Sequence, residues 1–360
     1  MRGAPFDLTV SNPTDVGLTP DPSVLAALGD PRGARYSPAP EGLRSAREAV
    51  CAYHRDRGAE VDPDDVVLTA STSEAYSFLF HLLADPGDEV LIPAPSYPLF
   101  SLLAELAGVR LARYPLVYAG GWCVDTASLA RLVTERTRAI IVVSPNNPTG
   151  SYLKRSELDA LRETGLPLIS DEVFLDYPLT VDASRAPSLS GEKTGLAFAL
   201  SGLSKVAALP QVKLGWIVVA GERALAERAK TRLHVIADTF LSVGTPVQVA
   251  APALLAEGRD VHARIVARVR HNLGLLDAGL RGTSASVLSV EGGWYAIVRF
   301  PATQSDVAWR ARSPTQACSC TRARCTRSRS PPASWSASSR RPTRSKPRRE
   351  SCEPSSLRDA

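Results

Sequence analysis

No apolar run in this 360-residue sequence is long enough to cross a bilayer. The longest, 139–143 and 216–220, fall far short of the ~20 residues a spanning helix needs. The first ten residues, MRGAPFDLTV, lack the apolar core of a secretion signal. Cysteine is scarce over most of the chain. Only Cys51 and Cys123 precede residue 310, while Cys318, Cys320, Cys325 and Cys352 follow it. Two scattered thiols make neither a disulfide framework nor a metal site. Excess positive charge is missing from the body as well. Residues 310–360 hold 13 Lys/Arg and three acids, which leaves 29 basic and 34 acidic residues in the remainder. The net charge of +5 therefore hides a mildly acidic body that offers no nucleic-acid surface. The expectation from these absences is a cytoplasmic protein with no membrane or nucleic-acid partner.

What is present suits a large globular chain, with 44% hydrophobic and 22% charged residues. Short apolar or β-branched runs at 66–69, 89–92, 109–114, 139–143, 167–170, 197–200 and 216–220 read as strands. Amphipathic stretches at 43–57, 73–84, 99–106, 128–136 and 154–163 read as the helices between them. This alternation predicts an α/β fold, a mostly parallel mixed sheet sandwiched by helices. Further helices at 222–237 and 262–280 and strands at 286–289 and 294–300 suggest a smaller α+β domain. The expected division is 1–35 as an N-terminal segment of the small domain, 36–235 as the large domain and 236–309 as part of the small one. Residues 310–360 form a basic Arg/Ser/Pro-rich tail without hydrophobic period, which reads as disordered.

Three segments carry the chemistry: SPNNPTG at 144–150, ISDEVF at 169–174 and SGLSK at 201–205. Each lies just beyond a predicted strand, where ligand groups converge in α/β proteins. They supply an amide (Asn147), a carboxylate (Asp171) and an amine (Lys205). A lysine in an apolar setting loses its charge readily, as an imine-forming amine must. A carboxylate can hold a pyridinium proton, so the pair supplies what pyridoxal 5′-phosphate (PLP) needs. Upstream, LTASTSEAY offers Ser71, Thr72 and Ser73 with Glu74 in a capping-box-like pattern. Taken alone it is an ordinary helix start, and such a start also binds anions.

The order and spacing of these motifs resemble the class I/II aminotransferases of PLP fold type I, over Asp7 to roughly Pro301. The resemblance implies that Lys205 binds PLP as a Schiff base and moves the substrate proton. It implies that Asp171 keeps the pyridine nitrogen protonated and that Asn147 donates to the phenolic oxygen. It places Thr72, Ser73, Ser204 and Lys213 at the phosphate, with Lys213 standing where many relatives have arginine. Tyr97 would stack on the ring, a core tyrosine being the lesser alternative. Tyr36, in a Tyr…Gly-Leu…Arg pattern, would reach the phosphate of a second subunit, which implies a homodimer. Asn12-Pro13-Thr14 resembles the N-terminal turn beside the substrate, so the usual N-terminal arm is expected to be missing. Two departures stand out. Phe174 replaces a frequent tyrosine, and Gly202 replaces a hydroxyl residue three positions before the lysine.

The implied reaction passes an amino group from an L-amino acid to a 2-oxo acid. Alternatives are another fold-type-I reaction, such as β-elimination or decarboxylation, or an inactive PLP-binding product. The last arises because codons compatible with 316–328, read two nucleotides later, can spell Gly-Val-Leu-Val-His-Pro-Gly. A frameshift near Ala311 is therefore expected to have replaced a native C-terminus. No arginine in the tail can be assigned to the substrate carboxylate.

Overall fold

The computed structural model of the protein describes residues 11–241, 243–301 and 303. The basic tail and the expected frameshift lie outside these residues. In chain order the elements are α1 (Arg44–Arg55), β1 (Val66–Thr69), α2 (Thr72–Leu83), β2 (Glu89–Ala94) and α3 (Leu99–Leu106). Then come β3 (Arg110–Tyr118), β4 (Trp122–Val124), α4 (Thr126–Leu132), β5 (Thr137–Val143) and α5 (Arg155–Arg162). They are followed by β6 (Leu168–Asp171), β7 (Leu196–Gly202), α6 (Leu203–Val206) and β8 (Gly215–Gly221). The last are α7 (Arg223–Phe240), α8 (Thr245–Leu280), β9 (Ser286–Val287) and β10 (Val298–Arg299).

Eight strands form one sheet in the order β1-β8-β7-β6-β5-β2-β3-β4. The central run from β7 to β3 is parallel, β8 is antiparallel to both its neighbours, and β4 is antiparallel to β3. Buried strands lie between helices on both faces, so they read as continuous apolar runs instead of alternating ones. Period two still decides which face each residue serves. Ile140, Val142, Ala197, Ala199, Trp216 and Val218 pack on one face with Ala46 and Val50 of α1, Leu158 of α5 and Leu254 of α8. Ile141, Val143, Phe198, Leu200, Ile217 and Val219 pack on the other with Phe78 of α2, Phe100 of α3 and Leu233 of α7. A third, smaller cluster joins Phe174 and Tyr177 to Val261 and Ile265 of α8, with Leu18, Trp294 and Tyr295 against it.

The predicted strands 66–220 all form, within two residues except that β3 runs four residues past the predicted end at 114. The largest departure is α8, a single helix of 36 residues where sequence suggested only 262–280. Pro252 lies inside it and donates no helical hydrogen bond. The Ala- and Val-rich first half of α8 is held by burial against α1 and α6, a tertiary gain that periodicity does not display. At the other end, the predicted strands 286–289 and 294–300 shrink to two two-residue strands. Among the described residues no single helix is long and apolar enough to cross a membrane.

Candidate active site

The parallel strands β1, β2, β5, β6 and β7 point their carboxyl ends to one edge of the sheet. β2 is flanked by β3 on one side and β5 on the other, so successive crossovers leave it in opposite directions. Such a switch point opens a crevice. Asn146 ties its two rims together: its Nδ2 donates to Pro95 O beyond β2 at 3.1 Å and to Thr149 Oγ1 at 2.9 Å. Asn146 is thus the structural member of the Asn-Asn pair, buried and committed. The neighbouring Asn147 carboxamide is half-buried and has no hydrogen-bond partner among the described residues. Asn147 thus keeps a free donor at the rim of the crevice.

Lys205 sits on the short α6, immediately after β7, and Asp171 is the last residue of β6. β6 and β7 are paired in register, with Asp171 opposite Leu200. The Lys205 amine lies 5.5 Å from the centre of the Phe174 ring and 5.3 Å from that of Trp294. Burial among these rings pushes its pKa down; Asp171 pulls it up, and the like charge of Lys213 lowers it again. Asp171 is itself buried, which raises its pKa, while a bond from Val173 N at 3.2 Å, one from Tyr76 Oη at 3.0 Å and the charge of Lys205 lower it. The lysine amine thus feels both a carboxylate and a second cation.

The opposite end of the crevice is a helix start. Ser71 caps α2 by accepting from Glu74 N at 3.2 Å, and Glu74 reaches back to Ala70 N at 2.6 Å. The amides and hydroxyls of Thr72 and Ser73 then have no protein partner among the described residues. Free first-turn amides and the positive end of the helix dipole make an anion site. The hydroxyl of Ser204 is likewise uncommitted. Lys213 arrives at the same edge because β8 runs antiparallel. It adopts a left-handed backbone (φ 61°) in the turn that feeds β8. Tyr97, in the loop after β2, is 45% exposed, and partial burial together with the charge of Asp171 raises its pKa. Tyr36 lies on the surface, 78% exposed, with no ring contact or hydrogen bond to its own chain among the described residues. Of the predicted residues, all but Tyr36 meet at this edge.

Two local features make predictions. Gly202 faces Gly215 in the β7–β8 pairing, and a Cβ there would meet Leu214 O at 2.9 Å and Gly215 Cα at 3.0 Å. Both are backbone atoms that cannot swing aside, so only glycine fits, and the missing hydroxyl is explained. Gly202→Ser is expected to destabilise by ~1–3 kcal/mol through overpacking. A urea midpoint that is unchanged, or raised, at constant slope would contradict this.

Glu172 is buried beside Asp171 and accepts from Ser170 Oγ at 3.0 Å, Ser188 Oγ at 2.5 Å and Leu189 N at 2.8 Å. Burial outweighs these bonds and lifts its pKa from 4.5 to about 7. A raised folded-state value means stability that is present below pH 4.5 and lost as pH rises through about 7. Glu172→Gln should remove that loss and gain a few kcal/mol relative to wild type at pH 8. Denaturation midpoints at pH 5 and pH 8 test it; an equal difference at both would sink the assignment.

Sequence reasoning passed over Tyr76 and Trp294. Tyr76 carries a signal, since it lies four residues after Thr72 and so on the same helix face. Trp294 belongs to the GGWY segment, which gives no sign of reaching Lys205 until the chain is folded. Asn12 caps the first turn of the described chain, accepting from Thr14 N at 3.2 Å, and Leu18 just beyond packs with Phe174 and Trp294.

The donor set fits PLP. Uncommitted amides, hydroxyls and an ammonium at one end match a phosphate, the buried carboxylate at the other end matches a pyridinium, and an amine of lowered pKa stands between. Sheet order and site together define the class: this is the PLP fold type I, an α/β transferase architecture. Within it, the chain belongs to the aminotransferase class I and II family, a family of PLP enzymes, whose model matches residues 5–330. That match continues beyond Pro301, where the recognisable motifs stop. Mouse tyrosine aminotransferase is 27% identical over 337 residues, covering 89% of this chain and 74% of the relative. Alanine aminotransferase of Mycobacterium bovis is 33% identical over 264 residues, covering 71% of this chain. The chain spans only 61% of that relative's length. The solved alanine aminotransferase of Pyrococcus furiosus superposes with a TM-score of 0.76 at 26% identity, covering 86% of this chain and 81% of its own.

Proposed function

We propose that the chain is a transaminase moving an amino group from an L-amino acid to a 2-oxo acid, with Lys205 as the residue that holds PLP covalently. Bound there, the cofactor supplies the electron sink that makes an amino acid's Cα–H acidic. Lys205, its pKa lowered by burial among Phe174 and Trp294, is the base that takes the Cα proton and returns it. Asp171 would keep the pyridine nitrogen protonated. Asn147 would donate to the phenolic oxygen. Thr72, Ser73, Ser204 and Lys213 would hold the phosphate, and Tyr97 would cover the ring.

The observation that carries this reading is the buried amine of Lys205 beside the Phe174 and Trp294 rings, under the charges of Asp171 and Lys213, at the sheet edge where the first turn of α2 keeps free donors. The aromatic wall of Trp294, Tyr295 and Tyr97 favours a donor with an uncharged side chain, and the relatives named for tyrosine and alanine point the same way. Tyr36, unused by its own chain, supports a homodimer in which it completes the partner's phosphate site. The placement of the protein in the cytoplasm belongs to the same reading.

A visible spectrum of the protein with PLP, before and after adding tyrosine, alanine and glutamate in turn, tests the proposal. The expected result is a lysine-bound band that converts to the pyridoxamine form with tyrosine or alanine, releasing the matching 2-oxo acid. Release of ammonia or carbon dioxide would favour elimination or decarboxylation, and a chain that takes up no PLP would overturn the reading.

A further inference from the structure

Tyr76 is a fully apolar-packed side chain with one polar atom, and that atom is spent on Asp171. The ring is buried, 3% exposed, edge-on to Phe100 at 5.0 Å and beside Phe80 at 6.2 Å. Its hydroxyl donates to Asp171 Oδ2 at 3.0 Å, while Oδ1 accepts from Val173 N at 3.2 Å. A carboxylate has about four acceptor positions, so both oxygens keep capacity for a further donor. α2 therefore serves the site twice, with its first-turn amides at one end of the crevice and, one turn later, with Tyr76 at the other.

We infer that Tyr76 is a positioning residue that keeps the Asp171 carboxylate ionised and aimed within an apolar pocket. An ionised carboxylate without water is stable only when hydrogen bonds and charge replace its hydration. Two donors do this here, the backbone N–H of Val173 and the side-chain hydroxyl of Tyr76. The groups facing Asp171 are Tyr76 from α2, Lys205 from α6, Tyr97 from the loop after β2, and the adjacent Glu172. Lys205 favours the ionised form and Glu172 opposes it. If Lys205 loses its charge on binding a cofactor, Tyr76 is the side chain of this protein that still donates to the carboxylate, beside whatever charge the cofactor brings. Phe174 adds nothing, as it has no hydroxyl. The inference rests on the PLP reading of the site for its consequence, but the Tyr76–Asp171 coupling can be measured without PLP.

Tyr76→Phe preserves the ring packing, so the fold is expected to survive; the melting curve checks this. In cofactor-free protein with carboxyl-labelled aspartate, carbon NMR reports the Asp171 titration, with Asp171→Asn giving the assignment. The expected result is that the Asp171 pKa moves up in Y76F. In a PLP titration Y76F should bind about tenfold more weakly than wild type at neutral pH, one charge-assisted hydrogen bond's worth. Its loss of affinity on acidification should begin at a higher pH. In the Asp171→Asn background the same substitution should change PLP affinity less than twofold, because the charge it supports has gone. An unmoved Asp171 titration, or an equal effect of Y76F in both backgrounds, overturns the inference. A wild-type chain that binds no PLP overturns the reading of the site, while the titration still decides the coupling.

Discussion

Lys205→Ala should lose transamination by at least ~10⁴-fold, retain PLP only non-covalently and melt no lower than wild type. In the proposed mechanism one residue supplies two functions, covalent attachment and proton transfer, and positioned acid–base groups alone contribute ~10²–10⁴. The stability half of the expectation follows from the contacts. Among the described residues the Lys205 amine makes no hydrogen bond or ion pair, and the ring centres of Phe174 and Trp294 lie 5.5 and 5.3 Å from it. Its backbone is held independently, since Tyr177 Oη donates to Lys205 O at 2.6 Å. Removing a poorly solvated amine therefore relieves desolvation without breaking a network. Functional groups placed against local stability are common at active sites. Lys205→Arg separates the roles further, because a guanidinium stays charged and cannot take a proton at neutral pH. It should be as inactive as the alanine variant. Partial rescue of Lys205→Ala, but not of Lys205→Arg, by a small primary amine is the measurement that checks the proton-transfer role. Undiminished turnover by either variant would remove Lys205 from the mechanism.

Asp171→Asn should lower kcat/KM by ~10³-fold, about 4 kcal/mol of transition-state stabilisation in a low-dielectric site. The substitution is isosteric, so packing against β5 and β7 is unchanged, and an amide can still accept from Val173 N. An amide cannot hold a proton on a pyridine nitrogen, and that nitrogen is where electrons from the substrate carbon must go. Folding should be unharmed or improved, because burying Asp171 raises its pKa and a neutral side chain avoids that cost. Single-turnover kinetics of the half-reaction make the decisive measurement. A defect confined to KM would mean that Asp171 helps only in binding.

Much of this site is legible in the chain because its parts are short motifs tied to strand ends. Asp171, Asn147 and Lys205 follow apolar runs, and any chain that buries those runs in a parallel sheet brings their carboxyl ends to one edge. The period-two division of Ile140–Val143 and Ala197–Leu200 between two packed faces is in the sequence as well. The motif singles out Asn147, whereas the anchoring of Asn146 to Pro95 O across the crevice is a tertiary outcome. So is Gly202, where the closeness of Leu214 O excludes the side chain that the motif leads one to expect. The length of α8 escaped notice because its first half is uniformly apolar and small, and burial on several sides erases the periodic signal. Tyr76 and Trp294 escaped because nothing local ties a ring on α2 to the end of β6, or a loop near residue 294 to the lysine at 205. Chemistry that resides in backbone turns and strand ends is written locally; chemistry that depends on which side chains meet across a core is decided only when distant segments pack.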